Sequence, residues 1–397
     1  MLIKTFTSRE TFYRFLKDRI GIFVKEAEER SFEGVFHCIY IRFGGDPQPL
    51  FLSARKNCLS VFSREDRFAL CGSESSIRKF CSDLTDYPET KALAREILEN
   101  LIKFRRQSFQ IRYNRKVLPL GLKTALMGIL NVTPDSFSDG GLYTEPESSL
   151  KRAVEMVEEG ADIIDIGGES TRPGSERISS EEELRRVLPV LKLIRKELPD
   201  IWISVDTYKS DVARACLEEG ADMINDVSGG TWDGEMHRLI AERGCPYVIN
   251  HVKGTPATWK TDPPVYDDVI EEIKEWLSRQ ISRLKDIGLK DGDNLIVDPG
   301  IGFGKLPEHN IEIINRLREL RILGRPILIG VSRKSFIGAV IEAFLGKKSK
   351  PEERLGGSLG ATACAVLEGA SIVRTHDVAQ TREFLALLDA VRTMNAV

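Results

Sequence analysis

The sequence predicts a (β/α)8 barrel preceded by a smaller α+β domain. Three observations support this fold class: eight short apolar runs after residue 125, amphipathic segments between them, and roughly 250–270 residues for the repeated part, the size of such a barrel. The runs are nearly continuously apolar rather than alternating, which is typical of parallel strands covered on both faces. Eight regular units favour a closed barrel over an open doubly wound sheet, and no G-x-G-x-x-G motif follows the first run.

The eight predicted strands are short apolar runs, most of them ending in polar or glycine-rich segments. They cover residues 126–132, 162–166, 201–205, 223–227, 247–252, 295–297, 327–331 and 371–374. Between them, apolar residues at helical spacing predict helices, for example over 148–159, 181–197, 267–286 and 311–320.

The first part of the chain has a different pattern and is predicted to be a separate α+β domain over 1–107, with the barrel over 108–397. Residues 35–42 and 59–62 are predicted strands, and a helix is predicted over 90–104. No catalytic constellation is evident there. The basic run within 103–116 is interpreted as a solvent-exposed face, and binding of RNA or of a partner protein is the lesser alternative.

The composition argues against several classes of protein. The chain has 397 residues, of which 42% are hydrophobic and 29% charged, with a formal net charge of -3, as in ordinary globular proteins. This balance does not favour binding to nucleic acid or to an anionic membrane. No secretory leader and no apolar stretch of about 18 residues is evident, so a cytoplasmic protein is expected. The seven irregularly spaced cysteines are expected to be buried free thiols.

Polar residues follow the predicted strands, at the end of the barrel where enzymes of this fold bind ligands. Asp206, Asn225 and Asp298 each end an apolar run, and their side chains would point into the barrel mouth. Because buried carboxylates without partners are costly, a polar ligand between them is the simplest explanation. Helix capping is the alternative, and it is the interpretation favoured for Asp377.

Cationic side chains cluster mainly after the last two predicted strands. The set is Arg172, Arg333, Lys334, Arg374 and His376. The forked arginine side chain matches phosphate oxygens, and the glycine-rich turns at 167–168 and 300–304 permit close backbone approach. Together with the carboxylates, these residues indicate a substrate that has a planar ring at one end and a phosphate at the other.

Seven motifs, in the expected order, resemble those of dihydropteroate synthases. They are GILNVTPDSFSDGG (128–141), DIGGESTRPGS (165–175), SVDTYKSDVA (204–213), INDVSGG (224–230), DPGIGFGK (298–305), GVSRKSFIG (330–338) and VRTHDV (373–378). The resemblance runs from about residue 110 to the C-terminus. It implies a homodimeric transferase of folate biosynthesis. Such an enzyme joins p-aminobenzoate to a hydroxymethyl-dihydropterin diphosphate by dissociative loss of pyrophosphate and attack of the arylamine.

The resemblance also implies roles for individual residues. The pterin would be bound by Asp206, Asn225, Asp298, Phe303 and Lys334. The diphosphate would be bound by Asn131, Thr171, Arg172, Arg374 and His376. The p-aminobenzoate would be bound by Phe137, Ser138, Pro173, Ser332 and Lys334. The implied cofactor is Mg²⁺, with Asn131 and Asp139 as candidate ligands. The implied catalytic residues are Asp298, Lys334, Arg374 and His376, and no serine or cysteine nucleophile is assigned.

Three alternatives remain open from the sequence. A methyltetrahydrofolate–corrinoid methyltransferase would share the pterin carboxylates but has no diphosphate to bind, and the first-loop, SRK and RTH motifs favour the synthase. A non-catalytic paralogue would be expected to lose the diphosphate residues, which are present. A larger arylamine acceptor would depend on loop geometry. Two departures from the family pattern are the pair Val252–Lys253 and the presence of the first hundred residues.

Overall fold

The computed structural model of the chain describes residues 2–6, 16–17, 36–132, 145–170, 177–256, 258–259, 264–290 and 292–394. The chain divides into two compact units. One comprises Met1–Arg106 with Arg318–Gly324, and the other comprises Gln107–Leu317 with Arg325–Val397. The first unit is therefore not a single contiguous stretch of the sequence.

The first unit contains an antiparallel sheet and helices. Its strands β1 to β4 are Leu2–Phe6, Phe36–Arg42, Ser60–Arg64 and Arg67–Gly72, and its helices α1 to α3 are Gln48–Lys56, Glu74–Leu84 and Lys91–Arg105. The strand order is β1-β2-β4-β3. The strands predicted over 35–42 and 59–62 and the helix predicted over 90–104 correspond to β2, β3 and α3. The core of this unit contains Ile39, Leu70, Phe80 and, from the short second segment, Ile322.

The second unit begins with a hairpin and continues as eight strands alternating with helices. The hairpin strands β5 and β6 are Phe109–Tyr113 and Lys116–Leu120. Strands β7 to β14 are Ala125–Asn131, Ile163–Gly167, Trp202–Asp206, Met223–Asp226, Tyr247–Asn250, Leu295–Asp298, Leu328–Ile329 and Ile372–Thr375. Helices α4 to α12 are Glu145–Glu158, Ser180–Glu197, Ser210–Glu218, Met236–Arg243, Val269–Asp286, Pro307–Asn315, Ser335–Leu345, Leu355–Leu367 and Val378–Met394. All eight predicted strands are confirmed.

The eight strands β7 to β14 close into a barrel. The strand order is β12-β11-β10-β9-β8-β7-β14-β13, and the strands pair in parallel. A parallel bridge between Val297 and Ile327 joins the two ends of the sheet, and the Val297 N–H donates to the Pro326 carbonyl at 3.0 Å. The predicted closed barrel is therefore confirmed over the open sheet.

The hairpin β5–β6 seals the amino end of the barrel. Its residues Phe109, Ile111, Leu118 and Leu120 are buried in one cluster with residues near the amino ends of the barrel strands. These strand residues are Ala125, Met127, Ile163, Trp202, Met223, Val248, Ile296, Leu328 and Ile372. Because this end is filled by apolar side chains, the polar ends of the strands remain concentrated at the other end.

One charged residue at the amino end differs from expectation. The prediction of a solvent-exposed basic face fails at Lys116, whose Nζ lies 3.0 Å from Asp222 Oδ2 and donates to the Ile201 carbonyl at 2.9 Å. Burial lowers the pKa of Lys116, against the attraction of Asp222. The carboxylate of Asp222 also accepts from Arg195 at 2.5 Å and from the Ile203 N–H at 3.0 Å. Lys116 therefore belongs to a partly buried ion cluster.

The helix predicted over 311–320 is wrong at both ends. Helix α9 spans Pro307–Asn315, and a 3₁₀ helix over Leu317–Leu323 follows it. Proline suits the first helical turn because its φ is already helical and no N–H is needed there, which explains the earlier start. The segment Arg318–Gly324 belongs to the first unit and contributes Ile322 to its core, so the end of the predicted helix crosses into another packing unit, which helical periodicity cannot reveal.

Five of the seven cysteines are buried. Cys58 and Cys364 are exposed, so the expectation of buried thiols is wrong for these two and holds for the other five cysteines. Among the helices of the described residues, none combines the length and the apolar character needed to cross a membrane.

Candidate active site

A cavity lies at the carboxyl ends of the barrel strands. Its empty space is about 490 Å³, part of which is open to solvent. The lining residues are Ile129, Asp206, Asn225, Val227, Asn250, Asp298, Ile301, Phe303, Gly330, Ser332, Lys334, Arg374 and His376. The structure therefore brings together eight of the candidate residues: Asp206, Asn225, Asp298, Phe303, Ser332, Lys334, Arg374 and His376.

Strand register explains why residues far apart in the sequence meet here. Asn131 is paired with Gly167, Gly167 with Asp206, and Asp206 with Asn225 across β7 to β10. Gly167 has no side chain, and a Cβ added there would lie 3.7 Å from both Asn131 Oδ1 and Asp206 Cβ. Asn131 and Asp206 therefore approach each other above a strand position that a glycine keeps open.

Arg374, which lines the cavity, links two carboxylates, Asp165 and Asp206. Its Nε donates to Asp165 Oδ2 at 2.6 Å, and its Nη2 donates to Asp206 Oδ2 at 2.7 Å. Asn225 Nδ2 donates to the same Asp165 oxygen at 2.9 Å. Two of the three guanidinium nitrogens are thus directed to carboxylates, and binding of the diphosphate by Arg374 stays a prediction.

Asp165 is a functional candidate that the sequence did not single out. It is completely buried, and its Oδ1 is a buried atom with no hydrogen-bond partner among the residues that the structure describes. The available signal was a carboxylate in the middle of an otherwise apolar strand. Because Asp165 holds both Arg374 and Asn225, it sets the positions of two cavity side chains.

The two carboxylates that line the cavity are poorly solvated. Burial raises the pKa of Asp206 to about 7, and the charge of Asp165 adds to this effect against the attraction of Arg374. Burial also raises the pKa of Asp298, although Asp298 Oδ1 accepts the Gly300 N–H at 2.7 Å. Carboxylates in this environment gain from a ligand whose N–H groups replace the lost water.

Left-handed glycines shape the loop that follows β12. Gly300, Gly302 and Gly304 have φ values of +73°, +82° and +66°. A Cβ at Gly300 would lie 1.9 Å from the His251 carbonyl oxygen, and one at Gly304 would lie 2.0 Å from the Lys253 carbonyl oxygen. Glycine is therefore needed both for the conformation and for the close approach of two backbone segments.

Two lysines hold this loop from the inside. Lys334 Nζ donates to the Ile301 carbonyl and lies 4.3 Å from the ring centroid of Phe303, and burial lowers the pKa of Lys334 to about 8. Lys305 Nζ donates to the Phe303 carbonyl at 3.0 Å and to the His251 carbonyl at 3.3 Å, and lies 2.9 Å from His251 Nδ1. These are three acceptors for the three protons of an ammonium group. The sequence did not single out Lys305 or His251 as partners.

Ser332 and His376 form a reciprocal pair at the rim. Ser332 Oγ accepts the His376 backbone N–H at 3.2 Å and lies 3.0 Å from His376 Nδ1. When the serine hydroxyl donates to Nδ1, the proton of the neutral ring resides on Nε2. An Nε2–H donor is suited to an anionic ligand oxygen.

Six candidate residues belong to segments that the structure does not describe. Phe137, Ser138, Asp139, Thr171, Arg172 and Pro173 lie outside the described residues, and their roles stay predictions. The departure at Val252 and Lys253 lies beside the cavity rather than in its lining. Lys253 Nζ donates to Glu272 Oε2 and to the Val265 carbonyl, both at 2.7 Å.

Comparison with known proteins identifies the family. A family model described as pterin binding enzyme matches residues 127–376. A dihydropteroate synthase from Synechocystis is 44% identical over 274 residues, which is 68% of this chain and 91% of that protein.

Solved structures agree with this match. The dihydropteroate synthase from Clostridium difficile, crystallised in the presence of pteroic acid, has a TM-score of 0.63 and 44% identity, covering 68% of this chain and 98% of that chain. The enzyme from Xanthomonas albilineans with 4-aminobenzoic acid has a TM-score of 0.65 and 40% identity, covering 72% of this chain and 98% of that chain. On this sequence and structural similarity, the chain belongs to the dihydropteroate synthases of the pterin-binding enzyme family.

Proposed function

We propose that the chain condenses hydroxymethyl-dihydropterin diphosphate with p-aminobenzoate to give dihydropteroate and pyrophosphate. The observation that carries this proposal is the cavity in which Asp206, Asn225 and Asp298 lie with Lys334 and Arg374 at one end of the barrel. The carboxylates and the amide suit a flat heterocycle with several N–H donors, and the cations suit a carbonyl and phosphate oxygens. Family membership supports the synthase over a corrinoid methyltransferase, which has no diphosphate to bind.

The pterin ring binds through complementary hydrogen bonds. Asp298 accepts from the N–H groups of the ring, and Asn225 and Asp206 complete the contacts to its other edge. Lys334 donates to the ring carbonyl. Because Asp298 is buried and its charge is poorly solvated, a ligand with two adjacent N–H donors is bound more strongly there than water is.

The chemical step breaks the C–O bond between the pterin methylene and the diphosphate. The bonding electrons leave with pyrophosphate, and the methylene gains positive charge that spreads into the ring. Asp298 and Asp206 stabilise this charge because they are already oriented and poorly solvated. His376 Nε2 donates to the leaving group, and Arg374 contributes positive charge near it.

The arylamine nitrogen then forms the new C–N bond and releases one proton to the medium. The amine of p-aminobenzoate is largely unprotonated at neutral pH, so no strong general base is required. Ser332 and Lys334 form the described part of the acceptor site, and Phe137, Ser138 and Pro173 are proposed to complete it. A larger arylamine remains the alternative acceptor.

Mg²⁺ is the proposed cofactor. This ion prefers oxygen ligands and is usually held by one or two protein groups together with phosphates. The Asn131 amide oxygen, which lies beside Gly167, provides such a group, and Asp139 is the second candidate. When bound, the ion would neutralise the diphosphate and so favour its departure.

A homodimer and a cytoplasmic location complete the proposal. Two C-terminal helices, α10 and α12, present large exposed apolar side chains, including Phe344 at 84%, Leu345 at 74% and Leu387 at 71% exposure. A second copy of the chain would remove this surface from water. Sedimentation velocity is expected to give twice the mass of one chain, and a monomer at micromolar concentration would contradict this part.

The function is tested by pyrophosphate release from the purified protein with Mg²⁺, the pterin diphosphate and p-aminobenzoate, each omitted in turn. Release that requires all three, a pteroate product and competition by a sulfonamide are expected. No release despite tight pterin binding would instead favour another arylamine acceptor or a non-catalytic paralogue.

A further inference from the structure

The backbone at Arg333 is in the left-handed region, with φ of +59°. Arg333 stands between Ser332 and Lys334, two residues that line the cavity. For a residue with a side chain this conformation is unfavourable, and it persists only where the surroundings impose it.

The side chain of Arg333 is held by one residue. Its Nε donates to Asp377 Oδ2 at 3.1 Å, and its Nη2 donates to Asp377 Oδ1. A two-point arginine–carboxylate pair restricts orientation as well as distance. The carboxylate that the sequence assigned to helix capping thus binds the arginine of the preceding strand end.

The backbone of Arg333 is held by two other residues. Its N–H donates to Ser358 Oγ at 2.9 Å, and its carbonyl accepts from Arg354 Nη1 at 3.1 Å. Ser358 belongs to helix α11, and Arg354 immediately precedes that helix. Side-chain groups from this segment therefore fix both polar groups of the left-handed residue.

Gly338 provides the space that Arg354 needs. A Cβ at position 338 would lie 2.9 Å from both Nε and Nη2 of Arg354. The Arg354 Nη2 also donates to the Ser349 carbonyl at 2.7 Å, so the guanidinium has little freedom to move aside. This contact gives a physical reason for the glycine that ends the motif GVSRKSFIG.

We infer that Arg333, Asp377, Arg354 and Ser358, here called the turn clamp, are positioning residues that aim Ser332 and Lys334 into the cavity. The inference rests on the proposed function, because Ser332 and Lys334 are its acceptor residues. A change of φ at Arg333 would redirect the chain on both sides. Lys334 Nζ would then leave the Ile301 carbonyl, and Ser332 would leave His376.

The first test is Gly338→Ala. Alanine favours a helix interior over glycine by about 1 kcal/mol, which offsets the loss of Arg354 hydrogen bonds, so the variant is expected to stay folded. The added methyl group displaces the Arg354 guanidinium, so the KM for p-aminobenzoate is expected to rise about tenfold, a loss of about 1.4 kcal/mol. The alkaline limb of kcat/KM is also expected to move to higher pH, because Lys334 becomes less buried.

The matched control is Gly360→Ala in helix α11, where an added Cβ meets no atom within 4 Å. Its kinetic constants are expected to equal those of the wild type. An unchanged KM for p-aminobenzoate and an unchanged alkaline limb of kcat/KM in Gly338→Ala would overturn the inference. A rise in KM of similar size in Gly338→Ala and Gly360→Ala would also overturn it.

The second test is a double-mutant cycle with Asp377→Asn and Arg333→Gly. Glycine tolerates the left-handed conformation but has no side chain to pair. If Asp377 acts through Arg333, Asp377→Asn raises the KM for p-aminobenzoate several-fold in the wild type and changes little in the Arg333→Gly background. Additive effects would overturn the inference.

Assaying the wild type in parallel distinguishes a failure of the proposed function from a failure of the turn-clamp inference. A wild type without turnover overturns the proposed function, and this inference with it. A wild type that turns over, beside variants with wild-type constants, overturns the turn clamp alone.

Discussion

The two ends of the barrel differ in chemistry, although the amino end also holds the partly buried ion pair of Lys116 and Asp222. At the amino end, the hairpin β5–β6 and residues near the starts of the barrel strands form one apolar cluster. At the carboxyl end, ionisable side chains are packed at or next to the cavity, some of them almost fully buried: Asp165, Asp206, Asp298, Lys305, Lys334 and Arg374. Apolar burial stabilises the fold, whereas buried charge is costly unless it is paired. The difference indicates that the amino end supports stability and the carboxyl end supports binding and catalysis.

The contrast between the two ends predicts that substitutions at each end have different effects on activity and stability. Substitutions at the carboxyl end should remove activity and leave the barrel folded, because the replaced group contributes little to folding free energy. Substitutions at the amino end should weaken the fold and leave the folded molecules active. Three experiments test the separation.

The largest effect is expected for Asp298→Ala at the carboxyl end. The pterin loses its main anchor, so kcat/KM should fall by at least about 1,000-fold, or roughly 4 kcal/mol. The thermal midpoint should stay equal or rise, because a poorly solvated charge is removed. Calorimetric titration with the pterin and steady-state kinetics measure the two quantities. Near-normal pterin affinity would refute the assigned role.

The next effect is expected for Ile111→Ala at the amino end. Ile111 has no exposed surface, and its truncation leaves a cavity beneath the barrel, so a loss of about 2–5 kcal/mol in unfolding free energy is expected. Denaturant unfolding checks this, and kcat/KM per folded molecule should be unchanged. Val117→Ala in the same hairpin is the control, because Val117 is 43% exposed and its truncation should change little. A loss of kcat/KM in Ile111→Ala without a loss of unfolding free energy would contradict the expected separation between the two ends.

The smallest effect is a pH dependence at the carboxyl end. Burial raises the pKa of Asp206 to about 7, so this carboxylate is charged and able to bind only above that pH. Burial lowers the pKa of Lys334 to about 8, so its ammonium is lost as pH rises through that value. We expect a narrow optimum of kcat/KM between these values, falling up to tenfold per pH unit on each side. Lys334→Arg should remove the alkaline limb, and an unchanged limb would assign it to another group.

Much of the fold could be predicted because its signals are local. Each barrel strand is a short apolar run, and polar or glycine-rich residues follow most of these runs. The polar residues after the runs, such as Asp206, Asn225 and Asp298, could be placed in one site because parallel strands align their carboxyl ends. The helix over 311–320 failed because its last residues, from Arg318 onward, belong to a different unit from the residues before them.

The sequence predicted which residues belong to the site but not which of them contact one another. Arg374 was identified as a cation, yet its carboxylate partner Asp165 is 209 positions away in the sequence. The left-handed conformation of Arg333 is likewise imposed by Ser358, Arg354 and Asp377. No local pattern encodes such pairings.

Strand number, closure of the barrel, family and candidate residues therefore follow from the order of residues, because hydrophobic periodicity and motif spacing act over short distances. The pairing of Arg374 with Asp165, the raised pKa of Asp206, the lowered pKa of Lys334 and the clamped backbone of Arg333 arise only after folding. Each depends on burial and on partners brought from distant segments, and both are properties of packing in three dimensions.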